Sequence, residues 1–233
     1  TDALSLAEVE VHGSPLSEPL GHWKLDDEVL NSGSTSVALP SGAIPQGGVY
    51  FDGVNYREGW GSLSFDGSGY AELSPLNGDS FLHDGFADRS VSLWVRVEEA
   101  TTQTIYDEGG TSNGLAIRYH ANGTIEVATR NNGTQFTLPG YPIERGLWYH
   151  VAATYGAGGR LRLYIDGHQV SEGFAPYTTV NASSDNAAIG ATVSEDAFGN
   201  VGTGQYLTGQ IDDVRVFDSE LGIGDLGWYR YPK

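Results

Sequence analysis

The residues best equipped for chemistry in this sequence are carboxylates, and the adjacent pair Asp212–Asp213 is the most informative. It interrupts Gly209–Asp218, G-Q-I-D-D-V-R-V-F-D, in which Ile211, Val214, Val216 and Phe217 favour a strand. Successive strand side chains point to opposite faces, so one of two adjacent carboxylates must face inward or sit at a strand end. An inward carboxylate is costly unless a cation or hydrogen-bond donors satisfy it. Two partners are open: an oxygen-seeking cation such as calcium, or Arg215 two residues on.

Other chemistries find less support. Glycan hydrolysis needs two carboxyls facing one side of a strand. Glu8 and Glu10 alternate correctly but lie in an N-terminal tail, and Glu98-Glu99 ends a strand. No serine sits in a nucleophile elbow. His22, His83, His120, His150 and His168 lack metal-ligand spacing, and His150, within W-Y-H-V-A, reads as a core residue. The absence of Cys excludes disulfides, zinc–thiolate sites and cysteine catalysis. Aromatic rings remain, and flat rings stack on sugar faces. Tyr106, Tyr141, Tyr177, Phe198 and Tyr206 fall at strand ends or in loops; Tyr106, Tyr141, Phe198 and Tyr206 form the candidate ligand-binding set. Tyr50, Tyr56 and Trp60 are candidates for a further exposed aromatic surface.

The elements that would position these residues are strands. Apolar alternation predicts strands near 90–97, 102–107, 114–119, 124–129, 135–138, 148–155, 160–165, 168–174, 186–190 and 208–217. Asn122-Gly123, Asn132-Gly133 and Asp166-Gly167 supply the turn chemistry between them. The expectation is an all-β, two-sheet antiparallel sandwich with one short helical turn near the C-terminus. With 233 residues and 33 Gly, the chain fits one such domain. Thirty acidic against twelve basic residues leave a formal charge of −18, which repels nucleic acid and anionic membrane surfaces. No apolar run approaches the ~18 residues of a membrane span. Residues 1–13 alternate as a strand, 14–20 read as a Pro-containing linker, and 21–233 as the sandwich. The start at Thr1-Asp2-Ala3, without Met or signal peptide, reads as a segment of a longer chain.

Several pieces in order resemble the laminin-G-like, concanavalin-A-like jelly-roll family. They are Trp23–Asp27, Leu63–Gly67 with Tyr70–Leu73, Ser90–Val95, Trp148–Ala152, Leu163–Gly167 and Gly209–Asp218. Leu221–Leu226 stands where that family has a short closing helix, and Phe51-Asp52-Gly53, repeating Phe65-Asp66-Gly67, reads as an insertion. Residues 1–13 resemble the last strand of a discoidin-type domain, the alternative being an extra edge strand. Ile189–Gly199 with Gln205–Gly209 is similar to the calcium loop of pentraxins. That resemblance implies Ca2+ held by Asp196, the Glu195 position, Gln205 and Asn113, although Ser194 and the stretch Gly202-Thr203 depart from the pattern. Adjacency of first and last strands in the family implies a second cation set of Asp26 and Asp213, with Asp27 and Asp66 nearby.

The resulting expectation is a non-catalytic, lectin-like carbohydrate-recognition module. It would belong to a secreted or cell-surface multidomain protein, bind a glycan or cell-surface ligand beside neighbouring domains of the same chain, and lack membrane insertion. Calcium would be structural or at the ligand rim. The alternatives are a protein–protein adhesion or spacer domain, and a glycan-active enzyme.

Overall fold

The computed structural model describes residues 18–26, 43–73, 81–222 and 224–225. In chain order the strands are β1 (Gly21–Trp23), β2 (Ile44–Gln46), β3 (Val49–Asp52), β4 (Ser62–Asp66), β5 (Tyr70–Glu72) and β6 (Arg89–Val97). There follow β7 (Gln103–Gly109), β8 (Gly114–His120), β9 (Thr124–Asn131), β10 (Thr134–Thr137) and β11 (Tyr141–Pro142). The last five are β12 (Trp148–Gly156), β13 (Arg160–Ile165), β14 (His168–Phe174), β15 (Ala188–Ile189) and β16 (Thr208–Phe217). Among the described residues a single 3-10 turn, Phe81–His83, precedes β6.

All pairings are antiparallel and make two sheets. The first runs β14-β13-β12-β6-β16-β4-β3, with β1 beside the end of β16 that β4 leaves free; the second runs β10-β9-β8-β7-β15-β5-β2, with β11 on β9. Alternation places the core between them. Val91, Leu93, Val95 and Val97 of β6 face Leu115 and Ile117 of β8 and Ile125 and Val127 of β9 across one cluster, which β16 joins through Ile211, Val214 and Val216. Trp94, between Leu93 and Val95, points to the other face of the first sheet.

The turns carry the residues their geometry requires. Asn132-Gly133 and Asp166-Gly167 adopt positive φ at both positions, as a type I′ hairpin needs, whereas at Asn122-Gly123 only the glycine does. Gly190, just after β15, has φ 85, and a Cβ there would run into the Phe65 ring. Gly190→Ala is expected to cost about 2–3 kcal/mol, from backbone strain plus overpacking. An unchanged urea midpoint would show that Phe65 yields at no cost.

Two sequence expectations change. Phe51-Asp52-Gly53, read as an insertion, lies partly in a strand: Val49–Asp52 pairs with β4 in register Val49↔Phe65 to Asp52↔Ser62 and forms the edge of the first sheet. The closing segment has Leu221 and Gly222 non-helical and one turn closed by Asp225 N–H to Gly222 O; its remainder lies outside the described residues, as do residues 1–17, the proposed tail strand and most of the linker. No described helix is long and apolar enough to cross a membrane.

Candidate functional site

At Asp212–Asp213 the strand does not send one carboxylate into the core. A β-bulge lies between Asp212 and Arg215, with Asp213 at φ 48, so β16 inserts an extra residue there. Asp212 pairs with Trp94 and Arg215 with Ser92, which places both on the sheet face away from the core, and the bulge keeps Asp213 with them. Asp213 sits 2.6 Å from His22 Nε2 and accepts from Arg215 Nη2 at 2.8 Å. Burial works against its charge, but His22 and Arg215 outweigh that and hold its carboxyl below the usual range. The Arg215 alternative, with His22 added, is therefore the arrangement seen.

Asp212 is fully buried and receives the backbone N–H groups of Arg57 and Glu58 at 2.7 and 2.8 Å on Oδ2. Its Oδ1 has no partner. Burial, with the charges of Asp213 and Glu58, pushes this carboxyl up to about 8. Glu58 bonds Arg215 at 3.3 Å, and burial plus Asp213 push it up to about 7. Arg57 stacks 4.5 Å from the Trp94 ring centroid, and Trp94 meets His150 edge-on. These contacts clamp the loop after β3 onto the first sheet. Asp52 accepts from Val54 N, Asn55 N and Asn55 Nδ2, and Asp26 accepts from Trp60 N at 2.5 Å. Asp26 and Asp213 thus serve different donors.

The second carboxylate set lies on the loop after β15. Asp196 is fully buried, and four donors saturate it: Thr192 Oγ1, Phe198 N, Asn200 N and Asn200 Nδ2, all within 3.0 Å. It organises its own loop. Glu195 accepts from the N–H and hydroxyl of Thr111, which keep its carboxyl below the usual range. Asn113 bridges Ala182 O and Asn132 N. Gln205, at φ 51, has a buried Oε1 without a partner. Sequence reasoning missed Asp107 at the end of β7. It is wholly buried, Oδ2 accepts from Val193 N, Oδ1 has no partner, and burial together with Asp196 and Asp185 pushes its carboxyl well up. Gly110 also lies against this set: a Cβ there would run into Asp185 and come 3.2 Å from Glu195 Oε2. Among the described residues no three His, Asp or Glu side chains are placed to hold one metal ion. The donors expected of a six-to-eight-oxygen site are mostly engaged with protein partners, so the residues fit calcium only in part.

The aromatic expectations divide. Tyr106 is fully buried, its hydroxyl on Glu108 at 2.7 Å, so it is a core residue and not a ligand contact. The bulge between Thr104 and Tyr106 turned the ring inward, which strand-end position alone did not reveal. Phe198 packs against Ala116, Ala128 and Ala197, and Arg118 covers its ring at 3.9 Å. Tyr141 is exposed on β11 and Tyr206 is half-buried; no ring contact described joins them to Phe198. The larger exposed set is elsewhere. Trp60 is 76% exposed, Tyr50 57%, Phe51 46% and Tyr56 39%, all on edge strand β3 or the clamped loop after it. Gly61 admits the Phe51 ring, since a Cβ there would collide with it.

This architecture is shared with known proteins. Residues 65–224 match the Laminin_G_3 family model, described as the concanavalin A-like lectin/glucanases superfamily, and the chain belongs to that family. No curated protein matches it. Among solved structures, domain 4 of AbnA, an extracellular GH43 arabinanase from Geobacillus stearothermophilus, solved with arabinotriose, superposes with a TM-score of 0.68 at 16% identity, covering 90% of this chain and 97% of that one. The binding domain of botulinum neurotoxin serotype G gives 0.64 at 14% identity over 91% of this chain. That of serotype D, in complex with N-acetylneuraminic acid, gives 0.62 at 14% over 90%. The chain spans about half of each toxin domain, 51% and 49%. At these identities the likeness establishes the fold.

Proposed function

We propose that this chain is a non-catalytic carbohydrate-binding module whose ligand surface is the aromatic set Tyr50, Phe51, Tyr56 and Trp60. The observation that carries the reading is a group of rings left in solvent on a loop that is otherwise tied down at Asp26, Asp52 and Asp212. Rings held rigidly lose little freedom on binding, and their flat faces match the C–H faces of sugar rings. Relatives of the same fold were solved with arabinotriose and with N-acetylneuraminic acid, which supports a glycan ligand. The charge of −18 favours a neutral glycan over an anionic one. An extracellular setting, within a longer multidomain protein, follows the same analogy to the arabinanase domain.

Trp60→Ala and Tyr56→Ala are each expected to weaken binding to the preferred polysaccharide at least tenfold, about 1.4 kcal/mol, while the exposed positions leave the melting temperature nearly unchanged. Affinity electrophoresis on arabinan, xylan and glucan gels checks this. Binding that survives both substitutions would remove the platform from the reading. A tight protein partner without glycan retention would favour an adhesion or spacer domain, and polysaccharide turnover would favour an enzyme.

Calcium belongs to this proposal at one place, around Gly110, where the two carboxylates of Asp185 and Glu195 approach and backbone carbonyls and water would supply the remaining oxygens. Their carboxylates would hold the ion, which would tie the 107–113 turn to the 190–205 loop. Millimolar calcium is then expected to raise the melting temperature and chelator to lower it, with Asp185→Asn abolishing the difference. Identical melting curves in calcium and chelator would refute a calcium site.

A further inference from the structure

We infer that Asp26 is the positioning residue for Trp60, the most exposed ring of the aromatic surface, a role that rests on that surface being the ligand site. Trp60 is 76% exposed, and among the described residues no ring contact or side-chain hydrogen bond holds its indole. Its placement therefore comes from the backbone beneath it. That backbone hangs on one acceptor: the Trp60 N–H donates to Asp26 Oδ1 at 2.5 Å. Both sequence neighbours of Trp60 are glycines, and both are fitted around Asp26. Gly59 has φ 60, and a Cβ there would run into the Asp26 carboxylate. A Cβ at Gly61 would run into the Phe51 ring and come 2.8 Å from the Asp26 carbonyl oxygen. Side chains are thus cleared from either side of the residue whose ring stands in solvent.

Asp26 is itself held. Leu25, just before it, has φ 58, a left-handed conformation that a bulky side chain rarely adopts. Such strain persists only where the surroundings over-determine it, and it gathers at ligand clamps and active sites. Here Trp23 and Leu25 are both fully buried in the core cluster, and Trp23 pairs with Val214 of β16. Two core anchors and a strained step between strand and loop fix the direction from which Asp26 meets Trp60. β1 also reaches the other side of Gly59. His22 bonds Asp213, and Asp213 shares Arg215 with Glu58. A ring placed before the ligand arrives gives up little freedom on binding, so loss of Asp26 costs affinity more than it costs the fold.

Asp26→Ala removes the acceptor and Asp26→Asn keeps an oxygen in its place; comparing the two in the intact chain tests the role. Amide hydrogen exchange and the indole heteronuclear NOE of Trp60 report its order, and retention on arabinan, xylan and glucan gels reports binding. In Asp26→Ala the Trp60 amide is expected to exchange about tenfold faster and its indole NOE to fall. Core amides such as Val91 and Val216 should not change. Retention should weaken about fivefold, the ordering cost of one side chain. Asp26→Asn is expected to restore the native values. A Trp60 as ordered in Asp26→Ala as in the native chain would overturn the inference. So would an Asp26→Asn form that behaves like Asp26→Ala, or exchange that quickens equally through the core strands, which would make Asp26 an ordinary structural residue. Retention that survives Trp60→Ala, with Trp60 still freed in Asp26→Ala, would remove the aromatic ligand site while sustaining Asp26 as the anchor of Trp60.

Discussion

Replacing Arg215 with leucine is expected to lower stability by about 3–5 kcal/mol, the cost of breaking a buried pair by removing one partner. Arg215 is 11% exposed and meets both Asp213 and Glu58. Without it the clustered carboxylates Asp212, Asp213 and Glu58 would lose the guanidinium that bonds both Asp213 and Glu58. Their protons would then be held to higher pH in the folded than in the unfolded chain. A carboxyl whose folded value is raised contributes stability at low pH that disappears as pH rises through that value. The variant should therefore lose more at pH 8 than at pH 5. Urea unfolding of both proteins at the two pH values checks this; an equal loss at both, or one below about 1 kcal/mol, would show that the cluster does not depend on Arg215.

The fold was legible because strand alternation and turn residues agreed. Asn132-Gly133 and Asp166-Gly167 announced hairpins that the structure closes at those positions, and β6, β12 and β16 fall on their expected segments. What alternation could not show was where it breaks. Two adjacent aspartates marked β16 as unusual, but a strict two-residue period forces one inward, whereas a bulge with Asp213 at φ 48 keeps both on one face. A second bulge, in β7, took Tyr106 into the core. The β3 edge was misread because its tripeptide duplicates the one in β4, and a repeat does not say which copy pairs. Resemblance pointed to the 190–205 loop but does not give the state of its carboxylates: Asp196 is engaged by its own backbone neighbours, a contact set within four residues that composition does not display. The aromatic surface was half legible. Tyr50, Tyr56 and Trp60 stood out as residue types, but their exposure depends on the clamp that Asp212 places on the backbone of Arg57 and Glu58, 154 or more residues away in sequence.

Asp212→Asn should stabilise the protein at alkaline pH and change little at acid pH. The side chain is buried, one oxygen accepts two backbone N–H groups, and the other has no partner. An asparagine keeps an oxygen for Arg57 and Glu58 and removes the charge. In the native chain burial holds the Asp212 carboxyl at about 8 against an ordinary 3.8. The folded form therefore keeps a proton that the unfolded chain has released, and stability drains away between pH 4 and pH 8. Each tenfold change in proton affinity is worth about 1.4 kcal/mol, so the charge withholds on the order of 3–5 kcal/mol above pH 8. Melting curves of the two proteins should coincide near pH 4.5 and separate steadily toward pH 8, with the asparagine form higher. Parallel melting profiles, or a variant less stable at pH 8, would mean that Asp212 is ionised and satisfied in the native fold by donors beyond Arg57 and Glu58.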